Sequence, residues 1–444
     1  MKKPSSIDHY INNSTVSEKW KIITDNKENI SQIVVIPAYA EKEMLFSTLT
    51  SLAQNDNSSL EGTLILCVIN NKKRAATEIK TNNRQTIEYL SALVGKRIFK
   101  FAKELNKTLQ IIADTRLRIG FIDASSEGHE MLENAGGVGM ARKIGMDAAL
   151  NVIRNCSTSK KIIINLDADT LVQSNYLSSV KNYFTGNIKS AVVAYEHQEP
   201  IIPEEMAAIY CYEIFLRYWV LGLKYANSPY AFHSIGSTMS CSADAYLEVR
   251  GMNRRDAGED FYFLNKLAKI GKIGYNKQTC VYPSARPSQR VPFGTGKRIQ
   301  RFLAGTHDEY LLYNPRIFEI LAVWLEIMRT PFNYNESDIL TKARLIDPIL
   351  ESFLIKSDFA AVWSRIRKNV KDEKVMIRQF NDWFDGFKTL KLINYMSKEV
   401  YAPINMFTAV NEILNKLGMS EHKYGNDPDL EGQKNILQHI RKIT

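Results

Sequence analysis

No C-x-x-C pair occurs in this sequence, and its five cysteines, Cys67, Cys156, Cys211, Cys241 and Cys280, are odd in number and widely separated. That pattern excludes a disulfide framework and a cysteine-built zinc site, and it predicts reduced thiols in a cytosolic protein. No uninterrupted apolar run reaches the roughly 18 residues that a membrane span needs, so none is expected. The opening MKKPSSIDHYINNS lacks the apolar centre of a signal peptide, and residues 1 to about 31 read as a polar surface arm. Acids are missing altogether from Ser284 to Arg301, which holds Arg286, Arg290, Lys297, Arg298 and Arg301. A second basic stretch runs from Lys72 to Arg118, within a formal net charge of +10. No nucleic-acid-binding motif accompanies these stretches. They point first to the phosphate of a small substrate and second to contact at the periphery of a membrane, with nucleic acid not expected as a partner.

What is present is a succession of buried strands and helices. At 444 residues the chain is long enough for two domains. Ile33 to Pro37 (IVVIP), Leu64 to Asn70 (LILCVIN), Arg118 to Ile122, Lys161 to Leu166 and Ser190 to Tyr195 are short runs rich in β-branched residues. Between them, Met44 to Leu52, a long stripe from Ile87 to Leu105 and VGMARKIGMDAALNVI have helical spacing, and Leu171 to Phe184 is also predicted helical. The alternation predicts an α/β fold, a Rossmann-like and mostly parallel sheet with helices on both faces. Ligands of such sheets lie beyond the carboxyl ends of the strands, where Asn70, Asp123, Asp167 and Asp169 would stand.

The centre of this arrangement is KKIIINLDADT, Lys160 to Thr170. A buried strand ends there in Asp167 and Asp169, and the period of two sets both carboxylates on one side. Two hard oxygen ligands at that spacing can hold Mg2+ or Mn2+ together with a substrate phosphate. The alternative is that the pair only caps a turn. Farther along, Glu204 to Tyr225 is a helix apolar nearly all round, with Glu213 and Arg217 spaced for an ion pair. Such a helix is a core element, or else lies against a membrane or a lipid-linked acceptor. From about Leu311 onward the pattern is helical throughout and predicts an all-α bundle of five or six helices.

The order IVVIPAYAEKE, GGVGMARKIGMDAA, IIINLDADTLVQSNYL and GEDFYFLNKL, within Ser31 to Arg301, resembles glycosyltransferase family 2, whose members share the GT-A fold. The resemblance implies a nucleotide-sugar pocket bordered by Pro37, Tyr39 and Glu41, with Arg142 near the base and the phosphates. It implies Asp169 as metal ligand, Asp167 on the metal or the ribose, and Asp260 as catalytic base beside Glu259. Acids opening a helix are also explained by its unsatisfied N–H groups alone. Arg286 and Arg290 could close over the donor diphosphate, and His307 could add a metal ligand. Two departures stand out: Lys143 replaces the usual Asn, and Asn70 and Asn71 replace the acid that many members place at the second strand. An amide can still read a base edge, so the departure puts UDP in doubt as the donor nucleotide. The Q-x-x-R-W signature of processive synthases is absent.

The expected division is a catalytic domain over 1–310 and a helical domain over 311–444. The expected activity is metal-dependent sugar transfer from a nucleotide-diphospho-sugar to a carbohydrate, lipid-linked or small-molecule hydroxyl, by inversion, in the cytoplasm or at the inner face of the membrane. The alternatives are a sugar-phosphate nucleotidyltransferase, whose G-x-G-x-R near the first strand is replaced here by PAYAEKE, and a non-catalytic nucleotide-sugar-binding scaffold.

Overall fold

A computed structural model describes residues 6–14, 19–95, 103–134, 137–154, 156, 160–288, 294–330, 334–419 and 424–444. The chain forms two compact units, one from Met1–Gln198 with Ser234–Ser284, the other from Glu199–His233 with Ala285–Thr444.

The first unit is built on a nine-stranded sheet. In chain order its strands are β1 (Ile22–Thr24), β2 (Gln32–Ala38), β3 (Thr63–Asn70), β4 (Arg118–Ala124), β5 (Ile162–Asn165), β6 (Leu171–Val172), β7 (Ser190–Tyr195), β8 (Met239–Ser242) and β9 (Gly274–Tyr282). Their spatial order is β1-β4-β3-β2-β5-β8-β7-β9-β6. β4, β3, β2 and β5 are mutually parallel, as are β7 and β9, whereas β1, β8 and β6 pair antiparallel to their neighbours. Every residue of β2 and β3 is buried, as expected of strands covered on both faces. From β2 the chain steps to β3 and β4 on one side and later returns to β5 on the other. The order reverses between β2 and β5, which opens a crevice at their carboxyl ends.

Helix Val138–Ile153 lies on β2 and β3, and Gly145 makes the close approach possible. A Cβ at Gly145 would collide with Val35 and would lie 2.9 Å from Val68 Cγ2. The glycine inside GMARKIGMDAA is therefore a packing requirement.

Three expectations need correction in this unit. Residues 6–14 are not a surface arm but a helix, with Ile7 and Tyr10 buried, and β1 adds an antiparallel strand beside β4. The stripe from Ile87 to Leu105 is not one helix: Thr77–Val94 ends at Gly95, and a separate helix spans Lys103–Ala113. Leu171 to Phe184 opens with the strand β6, and only Tyr176–Tyr183 is helical.

The second unit is helical. Pro203–Tyr225 runs through its core, contributing Ile209, Ile214, Tyr218 and Leu221 to a cluster that includes Phe318, Trp324 and Trp363. This helix is long and apolar enough to cross a membrane, but two thirds of its most apolar window is buried within the protein. Gly222 lets it press against Phe318, whose ring lies where a Cβ would stand. Glu213 is fully buried and accepts from Arg217 Nε at 2.9 Å and from Arg441 Nε at 2.8 Å, so the expected ion pair is present with a second arginine added. Eight helices follow Leu311 among the described residues, against the five or six expected, because the helices are short, 9 to 14 residues each. The boundary also differs from 310/311. The helix Pro203–Tyr225 and residues 285–310 group with the helical unit, since a helix apolar nearly all round is covered by other helices.

Candidate functional site

The Asp-x-Asp turn is held by its backbone. Leu166 N–H donates to Val35 O at 3.1 Å, carrying the β2–β5 pairing one residue past the strand, and Thr170 N–H returns to Asp167 O at 3.1 Å. Thr48 Oγ1 donates to Ala168 O at 2.8 Å and Gln198 Nε2 to Asp169 O at 2.9 Å. With the main chain fixed, Asp167 and Asp169 are both left partly exposed at the crevice.

Arg142, from the first turn of helix Val138–Ile153, reaches into this turn and is almost fully buried. Its Nη2 donates to Asp167 Oδ1, and its Nη1 lies 3.2 Å from Glu259 Oε1. The other oxygen of Asp167 accepts from Ser237 Oγ at 2.6 Å, and Ser237 is in turn 3.0 Å from Thr170 Oγ1. Gly236 lies under the guanidinium, in a space no Cβ could share. The resemblance puts Arg142 near the nucleotide and Glu259 beside the catalytic base Asp260. In the structure Arg142 contacts both Asp167, the first acid of the Asp-x-Asp pair, and Glu259.

Glu259 and Asp260 open helix Glu259–Ile270 behind Gly258, which has φ 69°, a left-handed conformation that glycine adopts without strain. Asp260 Oδ1 accepts from Phe261 N–H at 2.7 Å, so one oxygen does serve the helix start. One guanidinium thus faces three carboxylates, Asp167, Glu259 and Asp260. Burial pushes Glu259 up to about 7, against the pull of Arg142. Asp260 is raised as well, chiefly by burial, with Arg142 opposing and Asp167 adding to the rise. Burial works against the charge of Arg142, but its acidic neighbours keep it protonated. Carboxyls raised by burial in a cleft beside a cation are the pattern of acid–base sites.

On the other side of the crevice, Pro37 is buried at the end of β2, Tyr39 is half-buried and Glu41 is buried ahead of helix Lys42–Ala53. Ala40, at φ 54°, donates its N–H to Asn83 Oδ1 at 3.0 Å. Asn83 Nδ2 donates to Asn70 O at 3.0 Å and to Asn71 Oδ1 at 2.8 Å, and Asn71 Nδ2 donates to Ser125 O at 3.2 Å. Two amides therefore tie the loops after β2, β3 and β4 together. Asn71 is occupied by this framework, and Asn70, at the end of β3, is buried, 3% exposed. Asn83 was not anticipated. The signal was an Asn in phase with Ile87, Leu90 and Val94 on an otherwise apolar stripe. Asp123 Oδ1 accepts from Ser125 N–H, Ser125 Oγ and Ser126 N–H, a turn that orders the loop after β4. Burial works against its ionisation, but these hydrogen bonds outweigh it and lower its pKa. Lys143 faces away from Arg142 and pairs with Asp147 at 2.9 Å.

Arg286 and His307 belong to the helical unit, and Arg290 lies outside the described residues. His307 is exposed, 3.1 Å from Thr306 Oγ1. The acid-free stretch gains a counter-charge from Glu309, which pairs with Arg301 and lies 2.8 Å from Arg298, and Thr295–Leu303 is a helix. Among the described residues no group of three or more His, Cys, Asp or Glu side chains is placed to hold a metal by itself. Asp167 has both oxygens engaged, by Arg142 and Ser237, and Asp169 beside it is partly exposed, a hard oxygen ligand of the kind that binds Mg2+ or Mn2+.

No protein-family model matches the chain, and no curated relative matches it. Among solved structures, residues 1–349 of TarS from S. aureus in complex with UDP-GlcNAc align at 12% identity and a TM-score of 0.38, over 94% of this chain and 93% of that one. The mannosyltransferase PcManGT from Pyrobaculum calidifontis, in complex with GDP-Man and Mn2+, aligns at 10% identity and a TM-score of 0.35, over 98% of this chain and 91% of that one. Likenesses at these identities and scores carry no argument about function, which is read from the residues of the site.

Proposed function

We propose that this protein is a glycosyltransferase that moves a sugar from a nucleotide-diphospho-sugar to an acceptor hydroxyl with inversion. The observation that carries the reading is the contact of one buried guanidinium, Arg142, with both Asp167 past β5 and Glu259 beside Asp260. It links a candidate donor-phosphate turn to a candidate base at the carboxyl end of a parallel sheet.

In this reading the donor diphosphate lies against the Asp167–Asp169 turn, with its nucleoside along Pro37, Tyr39, Glu41 and Asn70. Asp260 takes the proton of the acceptor hydroxyl as its oxygen bonds to the anomeric carbon, and the bond from that carbon to the diphosphate oxygen breaks. The nucleoside diphosphate leaves with the electron pair. Arg142 keeps Asp167 and Glu259 in place and holds positive charge beside the leaving group. Mg2+ or Mn2+ would be held by Asp169 together with diphosphate oxygens, and when bound it would neutralise the leaving group. The proposed place of action is the cytoplasm or the inner surface of its membrane.

Titration calorimetry of a panel of nucleotides with and without Mn2+, on the parent and on Asp169→Ala, tests the donor site. The expected result is affinity for one nucleotide that Mn2+ strengthens in the parent and leaves unchanged in Asp169→Ala. Equal metal dependence in both proteins would remove Asp169 from the metal site, and no nucleotide binding at all would defeat the reading.

A further inference from the structure

A second buried polar cluster lies on the same helix as Arg142, one residue on. Lys143 Nζ donates to Tyr10 Oη at 2.9 Å, and Tyr10 Oη donates to Asp147 Oδ1 at 3.1 Å. Tyr246 Oη donates to that same Asp147 oxygen at 2.6 Å, and the Tyr10 and Tyr246 rings meet edge to face at 6.0 Å. Tyr10, Lys143, Asp147 and Tyr246 are all buried. Tyr10 is the only one of the four supplied by the helix Ser6–Ser14.

The turn that leads to the Glu259–Asp260 pair closes on this cluster. Gly251, at φ 74°, passes so near Tyr10 Oη that a Cβ would fall on the hydroxyl. Lys266, from helix Glu259–Ile270, donates to Val249 O at 2.9 Å and to Gly251 O at 2.5 Å. Burial lowers the Lys266 ammonium to about 8, with Lys143 adding to the effect, so its place there depends on these carbonyls. Farther along the same turn, Arg255 O accepts the N–H of Gly139, at the start of the Arg142 helix, at 3.2 Å. One phenol is thus packed between the helix that carries Arg142 and the turn that delivers the two acids.

We propose that Tyr10 is a positioning residue, which sets the register between the Arg142 helix and the Gly251–Gly258 turn and so holds the guanidinium against Glu259. Its effect on catalysis rests on the glycosyltransferase reading, but its effect on register does not. Removing that hydroxyl takes one partner from Lys143 and one from Asp147, which keep each other at 2.9 Å, and it opens a gap where Gly251 now packs against the phenol. The nearest freedom lies in the turn packed over it.

The test uses the full chain, with Tyr10→Phe, which keeps the ring and removes the hydroxyl, and Tyr10→Ala. Ile112→Val, at a buried position of the helix Lys103–Ala113, serves as a destabilised control outside the cluster. Hydrogen exchange at the Gly139 amide reads the register directly, because its acceptor is Arg255 O. In Tyr10→Phe that amide should exchange roughly tenfold faster or more, and at the parental rate in Ile112→Val. In steady-state assays kcat should fall roughly tenfold while donor KM stays within about twofold, the mark of misplaced groups and not of lost binding. Parental exchange at Gly139 in both Tyr10 variants would overturn the proposal, as would an equal kcat loss in Ile112→Val. If the parent transfers no sugar, the proposed activity has failed, and the Gly139 exchange rate still decides the claim about register.

Discussion

Arg142 and Glu259 face each other at 3.2 Å with side chains only 3% and 4% exposed, although they come from different helices far apart in the chain. The same guanidinium also binds Asp167, so a single cation stands between the turn after β5 and the start of the helix that carries Asp260. Such a pair is costly to desolvate, and it persists because each group left alone would be worse off.

Removing the cation should therefore be severe. Arg142→Met leaves three facing carboxylates without a counter-charge, and a loss of about 3–5 kcal/mol is expected for breaking a buried pair from one side. The deficit should shrink as pH falls and the acids take up protons. Urea denaturation at neutral and mildly acidic pH measures both effects, and a deficit independent of pH would mean that the lost packing of the side chain dominates.

The raised pKa of Glu259 makes a signed prediction. Its carboxyl moves from an ordinary 4.5 to about 7 on folding, so between those values the folded state binds more protons than the unfolded one. Its contribution to stability is full below about 4.5 and is lost as pH rises through about 7. Glu259→Gln should flatten this part of the stability profile. Denaturation midpoints of parent and variant across the window check it, and parallel profiles would assign the proton elsewhere.

Asn83 should matter more than a helix Asn ordinarily does. Asn83→Ala takes the acceptor from Ala40 N–H and the donor from Asn71 Oδ1, at a cost of about 1–3 kcal/mol for buried polar groups left unsatisfied. Because the loops after β2 and β3 border the proposed nucleoside pocket, nucleotide affinity should fall with it. Melting temperature and calorimetry on the same preparation read both, and a stability loss with parental affinity would limit Asn83 to the framework.

Much of the sheet was legible, and the reason is physical: IVVIP, LILCVIN and KKIIIN are β-branched runs buried on both faces, and no helix competes for them at that length. Asp167, Asp169 and the Glu259–Asp260 pair could be found because acids at element ends are conspicuous. Their junction through Arg142 was not legible, since it depends on helix placement that periodicity does not encode. Asn83 and Tyr10 were missed for a related reason. Each is a polar residue whose value lies in partners distant in sequence, and the helix Ser6–Ser14 is too short and too polar to declare itself before Tyr246 and Gly251 are brought against it. The acid-free stretch to Arg301 misled because Glu309 stands only eight residues beyond its end, just past the helix Thr295–Leu303. The long apolar helix is a core element, and because its partners are the helices after Leu311, it groups with the helical unit and not with the sheet.

Product analysis tests the central claim most directly. The full chain is incubated with Mn2+, a panel of nucleotide-diphospho-sugars and mixed acceptors, and the released nucleotide is identified for the parent and for Asp260→Asn, which keeps the size of the side chain while removing its basicity. The expected result is release of a nucleoside diphosphate from one donor in step with glycosylated acceptor, reduced by roughly 10²-fold or more in Asp260→Asn. Pyrophosphate in place of the diphosphate, no turnover with any donor, or a parental rate in Asp260→Asn would contradict the account.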